Sequence, residues 1–284
     1  MQPPYPSLTP TWHNDVYAAI EYTNSKISHN GEVVVITGAG SGIGRETAIA
    51  FATAGATELV LVGRESSKLK DTASLISAKT TIITADVTDE SSVKKIADAV
   101  TTWNVLIHAA GYLSPPAPVA EADIDDYWKS YETNVKSTIL LAKHLLPKAS
   151  PNAAMLSMAA GSIVFPIKMV LGVSAYLISK MALAKTMEFL AHENQNTFFA
   201  SVHPGMIDTH IFRQSGATPE QLAMDTARLP AGFCLWLTRP EARFLTGRCV
   251  WANWDVDELK AMEEEIAAGE KLTFNHIGYP FPHM

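Results

Sequence analysis

Cysteine is nearly missing from this chain. The 284 residues hold two, Cys234 and Cys249, too few for a disulfide framework, so a reducing compartment is the easier reading. A basic run is missing as well. Lys plus Arg number 22 against 29 Asp plus Glu, a net charge of −7, which argues against nucleic acid or an anionic membrane as partner. The most apolar stretch, Ile163 to Ile178, is broken by Pro166 and Lys168 and is no membrane span. The first ten residues, MQPPYPSLTP, carry four prolines and no apolar core, so a secretory signal is not expected. Apolar residues make up 47% and charged residues 18%, enough to bury a sizeable core and to exclude a largely disordered chain. A soluble cytoplasmic globular protein is the expectation.

Runs rich in Val and Ile alternate with helical patterns. Expected strands are Val33–Thr37, Leu59–Gly63, Thr81–Thr84, Val105–Ala109, Ala153–Met158, Phe198–His203 and Cys249–Asn253. Between them Ile43–Ala54, Ser66–Ile76, Glu90–Val100, Ile124–Leu146 and Ser174–Glu193 read as amphipathic or buried helices. Strands without polar alternation, separated by helices, predict a parallel sheet covered on both faces. The fold class is α/β, a Rossmann-type doubly wound sheet of about seven strands. Residues 1–31 read as an N-terminal arm, 32–254 as one domain, and 255–284 as an acidic helix and aromatic tail of that domain.

The first strand runs into Thr37-Gly38-Ala39-Gly40-Ser41-Gly42-Ile43-Gly44. Glycine there lets the backbone turn sharply and approach a pyrophosphate, whose charge is met by helix N-terminal amides. The strict G-x-G-x-x-G spacing fails at Ile43; T-G-x-x-x-G-x-G fits, through Gly38, Gly42 and Gly44. Alone, such a turn is also an ordinary tight corner. The second strand ends at Gly63-Arg64, where an acid would hold the ribose 2′-hydroxyl of NAD and an Arg accommodates a 2′-phosphate. Arg64 favours NADP over NAD, unless it is simply a solvated surface cation.

Tyr176-Leu177-Ile178-Ser179-Lys180 puts a phenol and an ammonium on one helical face. A free phenol, with a pKa near 10, is a poor proton carrier at neutral pH, and a neighbouring cation lowers that value. By itself the pair equally fits a solvated helix surface.

The glycine turn and the Tyr-Lys pair, in this order, resemble the short-chain dehydrogenase/reductase family over roughly residues 31–254, with fungal-type features at Pro10-Thr11-Trp12-His13 and Trp251-Ala252-Asn253-Trp254-Asp255. The resemblance implies cofactor contacts from Gly38, Ser41, Gly42, Ile43, Gly44 and Arg64. It adds Asp86 and Val87 as the pair beside adenine, Ala110 and Gly111 at the end of the family's N-N-A-G stretch, and Tyr176 and Lys180. Pro204, Gly205, Ile207 and Thr209, in its P-G-x-x-x-T loop, would lie on the nicotinamide side. Catalysis would rest on Asn134, which holds a relay water, and on Tyr176 and Lys180 with a serine. The serine is where this chain departs from the pattern. Strand matching lays Ala159 and Ala160 over the family's serine pair, whereas spacing ahead of Tyr176 and behind Asn134 selects Ser162. Ser162, no serine at all, and Ser157 all stay open.

Other chemistry is thin. His192-Glu193 is followed by Asn194-Gln195-Asn196, so no zinc motif forms and no metal is expected. Cys234 and Cys249 read as core, and His108 as packed near the fourth strand, with a place beside the cofactor as its alternative. The resemblance implies an NADP-dependent oxidoreductase acting on a carbonyl or alcohol of an apolar small molecule, of the kind met in secondary metabolism, as a homodimer or homotetramer. Two alternatives are a redox-neutral enzyme on the same fold and a non-catalytic NADP sensor.

Overall fold

The structure is a computed structural model that describes residues 6–220 and 222–275; the ends of the expected arm and tail, 1–5 and 276–284, lie outside the described residues. Seven strands form one sheet: β1 (Val33–Thr37), β2 (Glu58–Gly63), β3 (Lys79–Thr84), β4 (Trp103–His108), β5 (Ala149–Met158), β6 (Phe198–His203) and β7 (Arg248–Trp251). Their order is β3-β2-β1-β4-β5-β6-β7, every pair parallel. This is the doubly wound architecture that the strand runs predict. The order reverses between β1 and β4, and a crevice opens there at the carboxyl ends of the strands.

Both faces are apolar because both are covered. Val34, Ile36, Val105, Ile107 and Leu156 point into one core, while Val35, Val60, Leu106, Met155 and Phe199 point into the other. The second core packs against α3 (Glu90–Ala99), α5 (Ser137–Leu145) and α6 (Ser174–Glu193). The first takes α1 (Gly42–Thr53) and α8 (Arg228–Leu237), with Ile20 and Ile27 from the N-terminal segment. The short helices α2 (Ser66–Ala73), α4 (Ile124–Tyr131), α7 (His210–Gln214), α9 (Val256–Lys260) and α10 (Glu263–Ala268) complete the layers.

Two local differences from the expected elements have physical reasons. The run Ile124–Leu146 is two helices joined by a π turn at Glu132–Lys136, where Asn134 is buried and takes part in tertiary hydrogen bonds. Helix α8 is not among the expected elements: Leu229 through Leu237 are all buried, so it has no polar face to mark its period, and it carries Pro230 and Gly232. A Cβ on Gly232 would sit 2.5 Å from the Ile20 carbonyl oxygen, so this glycine permits the N-terminal segment to close on α8. That segment is further held by Trp12 bridging Trp254, by His13 against Asp255 at 2.9 Å and by Thr11 on Glu258 at 2.6 Å.

Candidate active site

Two cavities occupy the carboxyl edge of the sheet. The first, about 550 Å³, runs over the glycine turn between β1, β2 and β4. Gly38 has φ +68°, and a Cβ there would lie 2.8 Å from the Ala110 nitrogen; one on Gly44 would lie 2.3 Å from the Gly38 carbonyl oxygen. Only glycine allows the turn to fold this tightly against β4 and α1. The N-terminus of α1 therefore faces the cleft with its amides unobstructed, which is the chemistry that holds a dinucleotide's phosphates. Arg64, exposed at the end of β2, lines the same cleft, as does Lys68 on the first turn of α2, itself paired with Glu65 at 2.7 Å. Asp86 and Val87 follow β3 on its wall; Asp86 Oδ1 accepts from the amide and hydroxyl of Thr88 at 2.9 and 2.8 Å, which fixes its carboxylate. Ser41, Gly42, Ile43, Ala110, Gly111 and Thr209 line this cleft too.

The second cavity, about 360 Å³, has mostly apolar walls. It shares Ile43, Ala109, Gly111, Thr209 and Ile211 with the first, so the two meet along one seam. Tyr176 and Lys180 border the second cavity from α6, with Ala159, Ala160 and Ser162 from the end of β5 and Pro204, Gly205 and Ile207 from the loop after β6. Ser157 lies elsewhere: it is buried inside β5, with its hydroxyl on the Met187 sulfur. Ser162 sits in the 3-10 turn Gly161–Val164, beyond the strand, while Ala159 and Ala160 occupy the strand exit itself.

Lys180 is buried, with Nζ donating to the Met158 carbonyl at 2.7 Å and lying 5.7 Å from the Tyr176 ring centre. Burial brings the ammonium down to about 7 and pushes the Tyr176 phenol up to about 12. Desolvation is the cause of both shifts, and it favours the neutral form of each group.

Asn134 is tied on every side. Its Oδ1 accepts from the Tyr112 amide at 3.0 Å, and Nδ2 donates to the Tyr112 carbonyl and the Ser179 hydroxyl, each at 2.9 Å. Ser179 in turn donates to the Tyr176 carbonyl at 2.7 Å, so Asn134 couples the β4–α4 loop to the helix that carries Tyr176. Both amide hydrogens are committed, and Oδ1 keeps one lone pair. Its backbone carbonyl accepts the Thr138 hydroxyl at 2.9 Å.

His108 ends β4 beneath this seam. One proton assignment satisfies every partner: the Ala110 amide donates to Thr37 Oγ1 (3.3 Å), Thr37 donates to His108 Nδ1 (2.8 Å), His108 Nε2 donates to Ser137 Oγ (2.8 Å), and Ser137 donates to the Thr133 carbonyl. The chain requires a neutral imidazole, and burial brings its pKa down to about 3.

Some lining residues were given no site role by the sequence, although Trp12, Trp251 and Asn253 fall in its fungal-type features. Nothing in the sequence sets Lys68 apart from other surface cations. Trp12, His203, Trp251, Asn253 and Asp225 come together in the second cavity from segments far apart in the chain, so no spacing rule joins them. The aromatic cluster is close-knit, with Trp251 edge-on to Trp12 at 6.0 Å, stacked on Trp254 at 5.7 Å and edge-on to His203 at 4.7 Å.

Comparison with known proteins agrees with this geometry. Residues 32–220 match the short chain dehydrogenase family model. The Monascus purpureus short chain dehydrogenase mpl6 is 35% identical over 285 residues, spanning 94% of this chain and 97% of its own. The Emericella variicolor short chain dehydrogenase andI is 30% identical over 281 residues, 92% and 93% of the two chains. Among solved structures, a short chain dehydrogenase from Shigella flexneri 2a complexed with NADP superposes with a TM-score of 0.71 at 25% identity, covering 80% of this chain and 99% of that one. The chain belongs to the short-chain dehydrogenase/reductase family, whose members are oxidoreductases that use nicotinamide cofactors on small molecules.

Proposed function

We propose that this protein is an NADP-dependent oxidoreductase that interconverts a carbonyl and an alcohol on an apolar small molecule. The observation that carries the reading is the seam at Gly111: a glycine-floored cleft, with Arg64 at the end of β2 and Lys68 on α2, opens into an apolar cavity beside Tyr176 and Lys180. The cleft's donors fit a nicotinamide dinucleotide, with backbone amides for the pyrophosphate and Arg64 with Lys68 for a 2′-phosphate. The solved E. coli relative complexed with NADPH, 26% identical with a TM-score of 0.69, supports the NADP choice.

A nicotinamide in that cleft supplies or takes up the hydride. The chain's own residues handle the proton and the developing charge. Tyr176, held protonated at about 12, is in the right form to donate its proton to the carbonyl oxygen as that oxygen becomes an alkoxide. Lys180, once it carries a proton, favours the phenolate left behind. Ser162 donates a hydrogen bond to the same oxygen, and the Asn134 carbonyl holds the water that reprotonates the Tyr176–Lys180 pair. Met158 aims Lys180 through its carbonyl.

A redox-neutral reaction is the second reading, favoured by the alanines at the exit of β5 where the family carries serine. The test is to follow NADPH across a panel of apolar ketones and aldehydes. Steady oxidation of NADPH is expected. Substrate conversion without NADPH loss would replace the proposal with redox-neutral catalysis, and tight NADPH binding without turnover would replace it with a sensor.

Self-association belongs to the same proposal. Trp128, Ile139, Ile178, Met181 and Phe189 expose large apolar surface on α4, α5 and α6, whereas the backbone of β7 already meets the chain's own Leu272 at 2.8 Å. Light scattering should report a dimer or tetramer; a monomer at micromolar concentration would remove this part.

A further inference from the structure

The apolar cavity is bordered by residues with polar atoms that no other described residue satisfies. His203 Nδ1 and Asn253 Oδ1 are shut away from solvent without a hydrogen-bond partner among the described residues, and both residues line this cavity. Buried polar groups in native structures are paired almost without exception, so an orphan on a ligand cavity's wall marks a place where the ligand completes the bond. They arise from adjacent strands: His203 ends β6 opposite Trp251 of β7, and Asn253 follows two residues later.

The imidazole is held firmly. Its Cδ2–Nε2 edge packs on Gly161, where a Cβ would come within 2.7 and 2.8 Å of those two atoms, and its face meets Trp251 at 4.7 Å. Gly161 directly precedes Ser162, so the imidazole borders the reaction region without belonging to the Tyr176–Lys180 pair. Burial brings His203 down to about 3, which leaves a neutral ring with one donor and one acceptor. Asp225 also lines the cavity, its carboxylate accepting from the Met206 amide at 2.7 Å and from Asn14 at 2.8 Å, an arrangement hostile to an anionic ligand.

We infer that His203 and Asn253 form a recognition subsite for a second, neutral oxygen substituent of the substrate, a hydroxyl, phenol or carbonyl remote from the reacting carbon. This rests on the proposed function and narrows it: the preferred substrate is a neutral apolar skeleton with two oxygen functions, neither a bare hydrocarbon ketone nor a keto acid. The role is specificity, since the gain comes from pairing groups that the parent ketone leaves unpaired.

Binding tests it without relying on turnover. In the NADPH-loaded enzyme, dissociation constants for 1-tetralone and a set of hydroxy-1-tetralones differing in ring position can be read from quenching of the cavity tryptophans. At least one hydroxytetralone should bind about tenfold or more tighter than 1-tetralone, and a ring carboxylate should bind worse than both. His203→Phe, which keeps a flat ring, should bring the hydroxyl preference close to one, and His203→Gln should restore part of it. Equal wild-type affinity for every probe, or a preference that survives His203→Phe, overturns the subsite; the wild-type comparison decides this even if the variant fails to fold. Hydroxyl preference in binding together with absent NADPH oxidation would instead overturn the oxidoreductase reading and leave the subsite standing.

Discussion

The two halves of the carboxyl edge are built by different means. Around β1, β2 and β4 the walls are backbone: Gly38 and Gly44 close a turn in which a single added carbon would fall 2.3–2.8 Å from neighbouring main-chain atoms. Beyond β5 the walls are side chains, with Trp12, Phe165, Met206 and Trp251 converging from four separate segments. A backbone cradle tolerates little change of sequence, because its shape depends on the absence of side chains. A side-chain cavity can be reshaped one residue at a time. The cofactor half is thus suited to one ligand class, and the substrate half can differ among relatives of the same fold.

The sharpest way to break this comparison is to remove the proton donor. Tyr176→Phe keeps the ring in the wall of the second cavity and deletes only the hydroxyl. It should lower kcat about 1000-fold, while NADPH affinity, set by the other half, should hold. Single-turnover kinetics with equilibrium binding checks both parts. Loss of NADPH binding alongside kcat would show that the halves are not separable.

Legibility in the sequence follows the same division. The strand runs and the glycine turn were readable because parallel strands buried on both faces need Val and Ile throughout, and because a tight backbone approach leaves Gly38 and Gly44 no substitute. The Tyr176–Lys180 pair was readable because helical spacing joins neighbours in the chain. The serine was not, since the turn Gly161–Val164 lies past the strand end, where spacing and strand register point to different residues. Helix α8, and the meeting of Trp12, His203 and Trp251 in one cluster, were not legible for another reason. One lacks a polar face, and the other is assembled by tertiary contacts alone.

That unresolved serine gives the next test. Ser162→Ala should reduce kcat about 100-fold, the usual consequence of losing one donor to a developing oxyanion. A nearly silent Ser162→Ala, combined with a neutral or activating Ala160→Ser, would move the donor position back to the strand exit. Steady-state kinetics on the best ketone of the panel separates these outcomes.

On the cofactor side, Arg64→Ala should narrow the preference for NADPH over NADH roughly tenfold, as fits one charge-assisted contact at an exposed site. Lys68 would supply the residual preference. Titrations of both dinucleotides in low salt measure this, and equal affinities in the wild type would sink the assignment.

The smallest expected effect lies at the boundary between the halves. His108 joins β1 through Thr37 to α5 through Ser137, and its bonds require the neutral ring. Its folded pKa is depressed to about 3 from the ordinary 6.5. Above 6.5 the ring is neutral folded and unfolded, and stability does not depend on its titration. As pH falls below 6.5 the unfolded chain takes up a proton that the folded one refuses, so stability falls until pH reaches the folded value. One such group contributes a slope approaching 1.4 kcal/mol per pH unit between those limits. Urea unfolding of the wild type at several values between pH 7 and 5 should therefore show stability declining with acidity. His203 and His29 are also lowered by burial and add to the same slope, so the wild type alone does not isolate His108. His108→Gln does: an amide keeps a donor and an acceptor toward Thr37 and Ser137 but cannot titrate in this range. The variant should be less stable at pH 7, and its pH dependence should be shallower by about one proton. If the two slopes coincide, His108 is not held neutral between β1 and α5, and the hydrogen-bonded chain from Ala110 to Thr133 would need a different proton assignment.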